Sequence, residues 1–227
     1  MSQARIVSLN VGTVEEFTAP DGSRLRTAIR KKPVVSRFLQ VDGFPGDASS
    51  EAGHHTPAKA VHLFCNEHYP LVEARLGSEL PRPAFGENLI TAGLLEQDVY
   101  VGDEFRIGGA LICVTQPTER CRTIGRRLGL PKILKVLHHL EACGFYARVI
   151  EAGKVSVIDI VQLQARPQSV WSIKRLHRVM FQDLCNDHIV GEVMQIPELC
   201  EDWKKRLQVM RARARRGEPV SSSLAGI

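Results

Sequence analysis

Glu104-Phe105-Arg106-Ile107-Gly108-Gly109-Ala110-Leu111-Ile112-Cys113-Val114-Thr115 is the stretch that sets the fold class. Two short apolar, partly β-branched runs flank a Gly-Gly turn, so it reads as neighbouring strands at 104–107 and 110–115. The same pattern continues in both directions. Strands are expected at 5–11, 25–30, 34–41, 88–91, 98–101, 145–151 and 155–163, with turns at Asp21-Gly22 and Asp42-Gly43. Many short strands between Gly- and Pro-rich turns argue a sandwich or barrel.

Helices interrupt the strands. Asn66 can cap a helix running to Leu76, with Gly77 as its stop. Thr118 can cap a helix over 119–128 that ends at Gly129. A third helix is expected over 131–143, with Pro131 in its first turn and Gly144 as its stop. After Arg166-Pro167 the strand pattern disappears. Helices are expected there at 171–181, 188–194 and 197–216, the last starting on a proline. The organisation read from this is a mainly β domain over 1–165, a three-helix unit over 166–216 and a disordered tail over 217–227.

Composition narrows the function classes. The 227 residues are 44% hydrophobic and 24% charged, which excludes a wholly disordered or collagen-like chain. No apolar run approaches the about 18–20 residues of a membrane span, and no secretory signal is visible. The chain is therefore expected to be cytoplasmic. Six cysteines without a CxxC pair argue free thiols in a reducing compartment, against a disulfide scaffold or zinc ribbon. GxGxxG, Walker A, HExxH and GxSxG motifs are absent, which argues against the enzyme classes they mark. Net charge is +5, much of it at Lys204, Lys205, Arg206, Arg211, Arg213, Arg215 and Arg216. With no aromatic residues interleaved, that run reads as a solvated helix end more readily than as a nucleic-acid footprint.

The densest chemistry lies in Thr115-Gln116-Pro117-Thr118-Glu119-Arg120-Cys121-Arg122. A strand ends, proline turns the chain, and Cys121 falls in the first turn expected for the next helix, between two arginines. Such surroundings favour a thiolate and suit an anion. The other five cysteines read as small packing residues. A second segment combines the turn Gly43-Phe44-Pro45-Gly46-Asp47 with His54-His55-Thr56-Pro57-Ala58-Lys59, and a third is Phe85-Gly86-Glu87-Asn88-Leu89. Each alone reads as a turn or loop.

Together these segments resemble the MOSC domain, the C-terminal domain of molybdenum cofactor sulfurases. Phe85-Gly86-Glu87-Asn88-Leu89, Val101-Gly102-Asp103, and Gln116-Pro117 with Cys121 carry the likeness. Ser8-Leu9-Asn10-Val11-Gly12, the segment from Thr27 to Val34, Glu67-His68-Tyr69 and the terminal helices resemble its YiiM-like branch, over a stretch from Ile6 to Arg211. The resemblance implies a β-barrel of the pyruvate-kinase-insert type followed by a three-helix domain. It implies a molybdenum cofactor (molybdopterin) with Cys121 as the metal's thiolate ligand or as a persulfide carrier. Residue by residue it marks Thr27, Lys31, Gly46, Asp47, His54, Lys59, Phe85, Gly86, Glu87, Asn88, Leu89, Gln116 and Arg120 as cofactor-binding. His54 and Glu87 are its proton-handling candidates. One departure is plain: the family's usual His-Gly-Gly-Pro-Asp reads His54-His55-Thr56-Pro57-Ala58.

The activity implied is reduction of N-hydroxylated compounds, such as N-hydroxylated purine bases, with electrons from a separate protein. A homodimer is admitted, and neither a membrane nor a nucleic acid is expected as a partner. Two other readings stay open: a carrier that delivers persulfide sulfur from Cys121 to a metallocentre, and a non-enzymatic binding module.

Overall fold

The computed structural model describes residues 3–48 and 56–218. His54 and His55, and all of the tail from 219 on, lie outside the described residues.

The chain runs β1 (Arg5–Val11), β2 (Glu15–Thr18), β3 (Arg24–Thr27), β4 (Lys32–Val34) and β5 (Ser36–Leu39). A 3₁₀ turn (Pro57–Lys59) precedes β6 (Val61–Cys65), α1 (His68–Leu76), β7 (Leu89–Ala92), β8 (Glu104–Ile107) and β9 (Ala110–Pro117). Then come α2 (Arg122–Leu128), α3 (Ile133–His139), β10 (Phe145–Glu151), β11 (Gly153–Ser156) and β12 (Val161–Ala165). The helices α4 (Ile173–Phe181), α5 (Asp187–Met194) and α6 (Glu201–Arg215) complete it.

Eight strands form the main sheet in the order β12-β8-β9-β10-β6-β7-β1-β4. Neighbours are antiparallel except β6 and β7, which are parallel and joined through α1. Strand β9 is buried along its whole length, in line with the unbroken apolar run Ala110–Val114 and not an alternation. The sheet curls until Val161 N donates to Ala4 O (2.8 Å) and Ile6 N to Asp159 O (3.1 Å). The curl is barrel-like, but the ladder is not continuous: among the described residues an isolated bridge between Arg5 and Ile160 joins its two sides.

The structure corrects several expected boundaries. Strands β2 and β6 form although neither is among the expected strands. The run 34–41 divides, with β4 in the main sheet and β5 pairing with β11. The run 155–163 breaks where the Asp159 carboxylate accepts from Ser156 N (2.8 Å), a local turn that competes with the ladder. No strand forms at 98–101: Asp98 N and Val99 N both turn back to Leu95 O. Helix α6 begins at Glu201, four residues past Pro197, because Cys200 N is taken by Thr115 O (3.2 Å).

Two apolar clusters hold the elements. One joins the sheet to α4–α6 through residues such as Leu9, Ile112, Val114, Trp171 and Trp203. The other packs α1, α2 and α3 over β6 and β7 through Phe64, Tyr69, Ile124, Ile133 and Leu137. Cys121 sits where α2 emerges beside this second cluster.

Candidate functional site

The segment after β9 does not enter a helix at Glu119. Thr118 N donates to Gly144 O (3.1 Å), and the Arg120 guanidinium reaches Cys143 O (2.5 Å) and Phe85 O (3.4 Å). These bonds hold 117–121 extended, so α2 starts at Arg122. Cys121 is therefore the N-cap residue and not a first-turn residue, and its side chain makes no capping bond. Its thiol is exposed, while those of Cys65, Cys113 and Cys143 are buried; all six cysteines are free.

Cys121 lines two compartments that share part of their walls, here called inner and outer. The inner one, about 130 Å³, is lined by Thr27, Lys31, Asp47, Phe85, Gly86 and Asn88 on one side. Lys59, His62, Thr118, Arg120, Cys121 and Tyr146 line the other. The outer one, about 530 Å³, shares Lys59, Arg120, Cys121 and Tyr146. It adds Gln116, Arg122 and, from α6, Asp202, Trp203 and Arg206. An ion pair between Arg206 and Glu119 (2.9 Å) ties α6 to the Cys121 segment.

Asn88 organises the inner wall. Its side-chain amide donates to Asn10 O (3.2 Å) and to Asp47 Oδ2 (2.8 Å), and its oxygen accepts from His62 N (3.0 Å). Asp47 in turn accepts from Gly12 N (2.9 Å) and pairs with Lys31 (2.5 Å). Burial lowers the Lys31 pKa, against the opposing pull of Asp47. Gly46 adopts φ +83 in the turn that presents Asp47 and does not itself line the cleft. Gly86 adopts φ +79, and a Cβ there would stand 3.1 Å from Ile29 Cγ1.

Not every residue of the Phe85–Leu89 motif faces the cleft. Leu89 is a core residue of β7. Glu87 is fully buried; one oxygen accepts from the Tyr69 hydroxyl and the other from Phe85 N (2.8 Å). Both oxygens are thus engaged within the protein, and Glu87 does not line the cleft. Gln116 lines only the outer compartment. Thr56, at the position of a family glycine, does not line the cleft.

Comparison with known proteins bears on the family. The MOSC domain model matches residues 50–162. YflK of Bacillus subtilis is 33% identical over 90% of this chain and 94% of its own length. Protein YiiM of Escherichia coli is 31% identical over 90% of this chain and 92% of its own. The crystal structure of YiiM from Geobacillus stearothermophilus superposes with a TM-score of 0.76 at 26% identity, covering 91% of this chain and 98% of that one. This chain belongs to the YiiM-like MOSC proteins. A Gibberella moniliformis protein named "Reductase" is also similar, 29% identical over 78% of this chain but only 32% of its own length.

The MOSC cleft contains residues that motif reading did not single out. His62 is buried on β6, with its ring 5.1 Å from that of Tyr146. Burial, and then the Arg120 charge, hold the His62 pKa well below the usual imidazole range, so the ring is neutral. Burial pushes the Tyr146 hydroxyl up to about 12. The signal for His62 was present: a histidine inside the apolar run Val61–Cys65 is a buried polar group that needs a reason. Nothing local marks Tyr146, Trp203 or Arg206, because sheet pairing and helix docking bring them to Cys121.

Proposed function

We propose that this MOSC protein binds molybdenum cofactor with Cys121 as the thiolate ligand, and reduces N-hydroxylated compounds with electrons from a separate protein. The observation that carries this reading is the exposed Cys121 at the junction of the two compartments, the inner one lined by Lys31, Lys59 and Arg120. Among the described residues no group of three His, Cys, Asp or Glu side chains can hold a metal ion. A metal at Cys121 would take its other ligands from a pterin dithiolene, whose soft sulfur suits a thiolate partner. The inner walls fit such a group: His62 Nε2, Thr118 Oγ1 and Arg120 Nε are buried without partners, and cations stand nearby for a phosphate.

When bound, the cofactor would take the oxygen of the N–OH group while giving up two electrons; the balanced outcome is amine and water from N–OH, two electrons and two protons. The chain's own part is to bind and orient. Lys31 and Lys59 face the anion. Tyr146 lines both compartments and keeps its proton, so its hydroxyl is the donor placed to meet a substrate oxygen beside Cys121. The outer compartment, walled by α6, admits the substrate. The relative named "Reductase" supports the reaction class.

The test is metal and pterin content of wild type and Cys121→Ser made in a host that synthesises the cofactor. Cys121 is exposed, so the variant should keep stability within about 0.5 kcal/mol. Molybdenum and pterin in the wild type, with molybdenum and N-hydroxylaminopurine reduction lost in the variant, is the expected result. Neither group in the wild type, or full reduction by Cys121→Ala, would sink the reading. The exposed, uncapped thiol also suits persulfide transfer. Labile sulfur released by cyanide from wild type but not from Cys121→Ser would favour that second reading.

A further inference from the structure

Of the cationic run on α6, Arg206 is the member that lines the outer compartment with Cys121. Its side chain is 42% exposed. Its Nε donates to Glu119 Oε2 (2.9 Å), while its two terminal nitrogens have no partner among the described residues. A guanidinium held at Nε keeps an end-on pair of N–H donors, the geometry that takes two oxygens of a carboxylate or phosphate. Because Glu119 already orders the stem, less side-chain freedom is lost when an anion binds than at an untethered surface arginine.

The surroundings suit an anion. Arg120 lines the same compartment, and its bonded nitrogens go to the backbone carbonyls of Phe85 and Cys143, so no carboxylate among the described residues pairs with it. Among the described residues the carboxylates on these walls are Glu119, which Arg206 engages, and Asp202, one turn earlier on α6. At about 530 Å³ the compartment falls in the range of sites that enclose whole small molecules, with room beyond a bare base.

We propose that Arg206 selects N-hydroxylated compounds carrying a second, anionic group, a phosphate or a carboxylate, which docks on its terminal N–H donors while the N–OH end lies at Cys121. The inference rests on the reductase reading above for the reacting end. The anion contact itself belongs to the α6 wall, outside every motif that suggested the family.

Two pairs of compounds separate the sources of the charge: an N-hydroxylated adenosine against its monophosphate, and benzamidoxime against carboxybenzamidoxime. The first readout is the ratio of kcat/KM for the anionic member to that for the neutral one, which does not depend on how much of a preparation carries cofactor. The second is the Kd of adenosine monophosphate against that of adenosine by calorimetry, which needs no redox step. In wild type the anionic member of at least one pair should be preferred, with the preference shrinking as salt rises. The pair that shows it identifies the group taken. Arg206→Gln should lower that preference about tenfold, and Arg206→Lys should keep part of it. Glu119→Gln, whose amide oxygen still accepts from Nε, should raise it about twofold by removing a negative charge. No preference in wild type for either anionic compound would overturn the proposal. So would an equal fall in Glu119→Gln and Arg206→Gln, which would make Arg206 only a tie between α6 and the Cys121 segment. If neither pair is reduced, but adenosine monophosphate binds more tightly than adenosine and Arg206→Gln abolishes the difference, the reductase reading fails and the anion site stands. No reduction and no difference in binding would overturn both.

Discussion

His177 on α4 shows what burial does to a single residue away from the cleft. It is 8% exposed, its ring lies 5.5 Å from that of His138 and 4.7 Å from that of Phe181. Burial first, then the His138 charge, lower its pKa from 6.5 to about 4, against the opposing pull of Glu141 and Glu96 and with a further push from Arg120. Between those pH values the unfolded chain binds a proton at this site and the folded chain does not, so stability rises with pH there. The full contribution is present above about pH 6.5 and is lost as pH falls to about 4, a loss of about 3 kcal/mol. His62 and His138 are depressed in the same direction, so the wild-type slope contains all three. The discriminating measurement is the urea midpoint at pH 7 and pH 5 for wild type and His177→Phe. The variant should lose less stability on acidification; an unchanged difference between the two pH values would show that His177 does not titrate as described. At this scale the sequence was partly readable. The motif residues Thr27, Lys31, Asp47, Phe85, Gly86, Asn88 and Cys121 do line one cleft. Glu87 was legible as part of the motif, while its partners, the Tyr69 hydroxyl and Phe85 N, are visible only in the fold.

Among elements, the turn Val101-Gly102-Asp103 is where the helices meet the sheet. Gly102 has φ +89, and a Cβ there would come within 2.6 Å of Pro167 Cγ and 2.9 Å of Glu198 Cγ. Asp103, fully buried, accepts twice from Arg166 at 2.7 Å and once from Tyr100 N at 2.9 Å. A motif that signals the family by sequence thus serves as the seat of the segment entering α4. Gly102→Ala combines a left-handed φ with overlap at two side chains and should cost about 2–4 kcal/mol. Urea denaturation measures it; a cost below about 0.5 kcal/mol, the range of a neutral surface change, would mean the Pro167 contact yields freely. Element types were legible wherever apolar pattern and turn residues agreed, as in β1, β8 and β10, whose bounds match the expected ones. Starts and breaks were not legible where distant backbone groups decide them. Arg120 reaching Cys143 and Phe85 delays α2, and Thr115 O delays α6. The cationic run on α6 was readable as a helix face, yet its partners were not: Lys204 pairs with Glu201, Arg206 with Glu119, and Arg211 and Arg215 with Asp187.

For the whole molecule, the consequence is cooperativity between sheet and helices. The apolar cluster that holds Leu9, Ile112 and Val114 also holds Trp171, Leu176, Trp203 and Leu207. Backbone bonds reinforce it: Ile173 N to Val99 O (2.8 Å), Val101 N to Trp171 O (3.2 Å) and Cys200 N to Thr115 O (3.2 Å). Detaching α4–α6 would expose that shared apolar surface at about 25 cal/mol per Å², so the helices should not unfold ahead of the sheet. Composition supplies two independent probes. Both tryptophans, Trp171 and Trp203, lie in the helical part, so their fluorescence reports it. Cys65, Cys113 and Cys143 are buried with the sheet, so their reaction with a thiol reagent reports its opening, while Cys121 and Cys185 react beforehand. The two urea transitions should share one midpoint. A fluorescence transition at lower urea would show a helical unit that melts alone, and the wall that Asp202, Trp203 and Arg206 give the outer compartment would then be separable from Cys121. A shared midpoint makes that wall as permanent as the sheet itself, so substitutions on α6 facing Cys121 can alter which substrates enter without loosening the inner compartment.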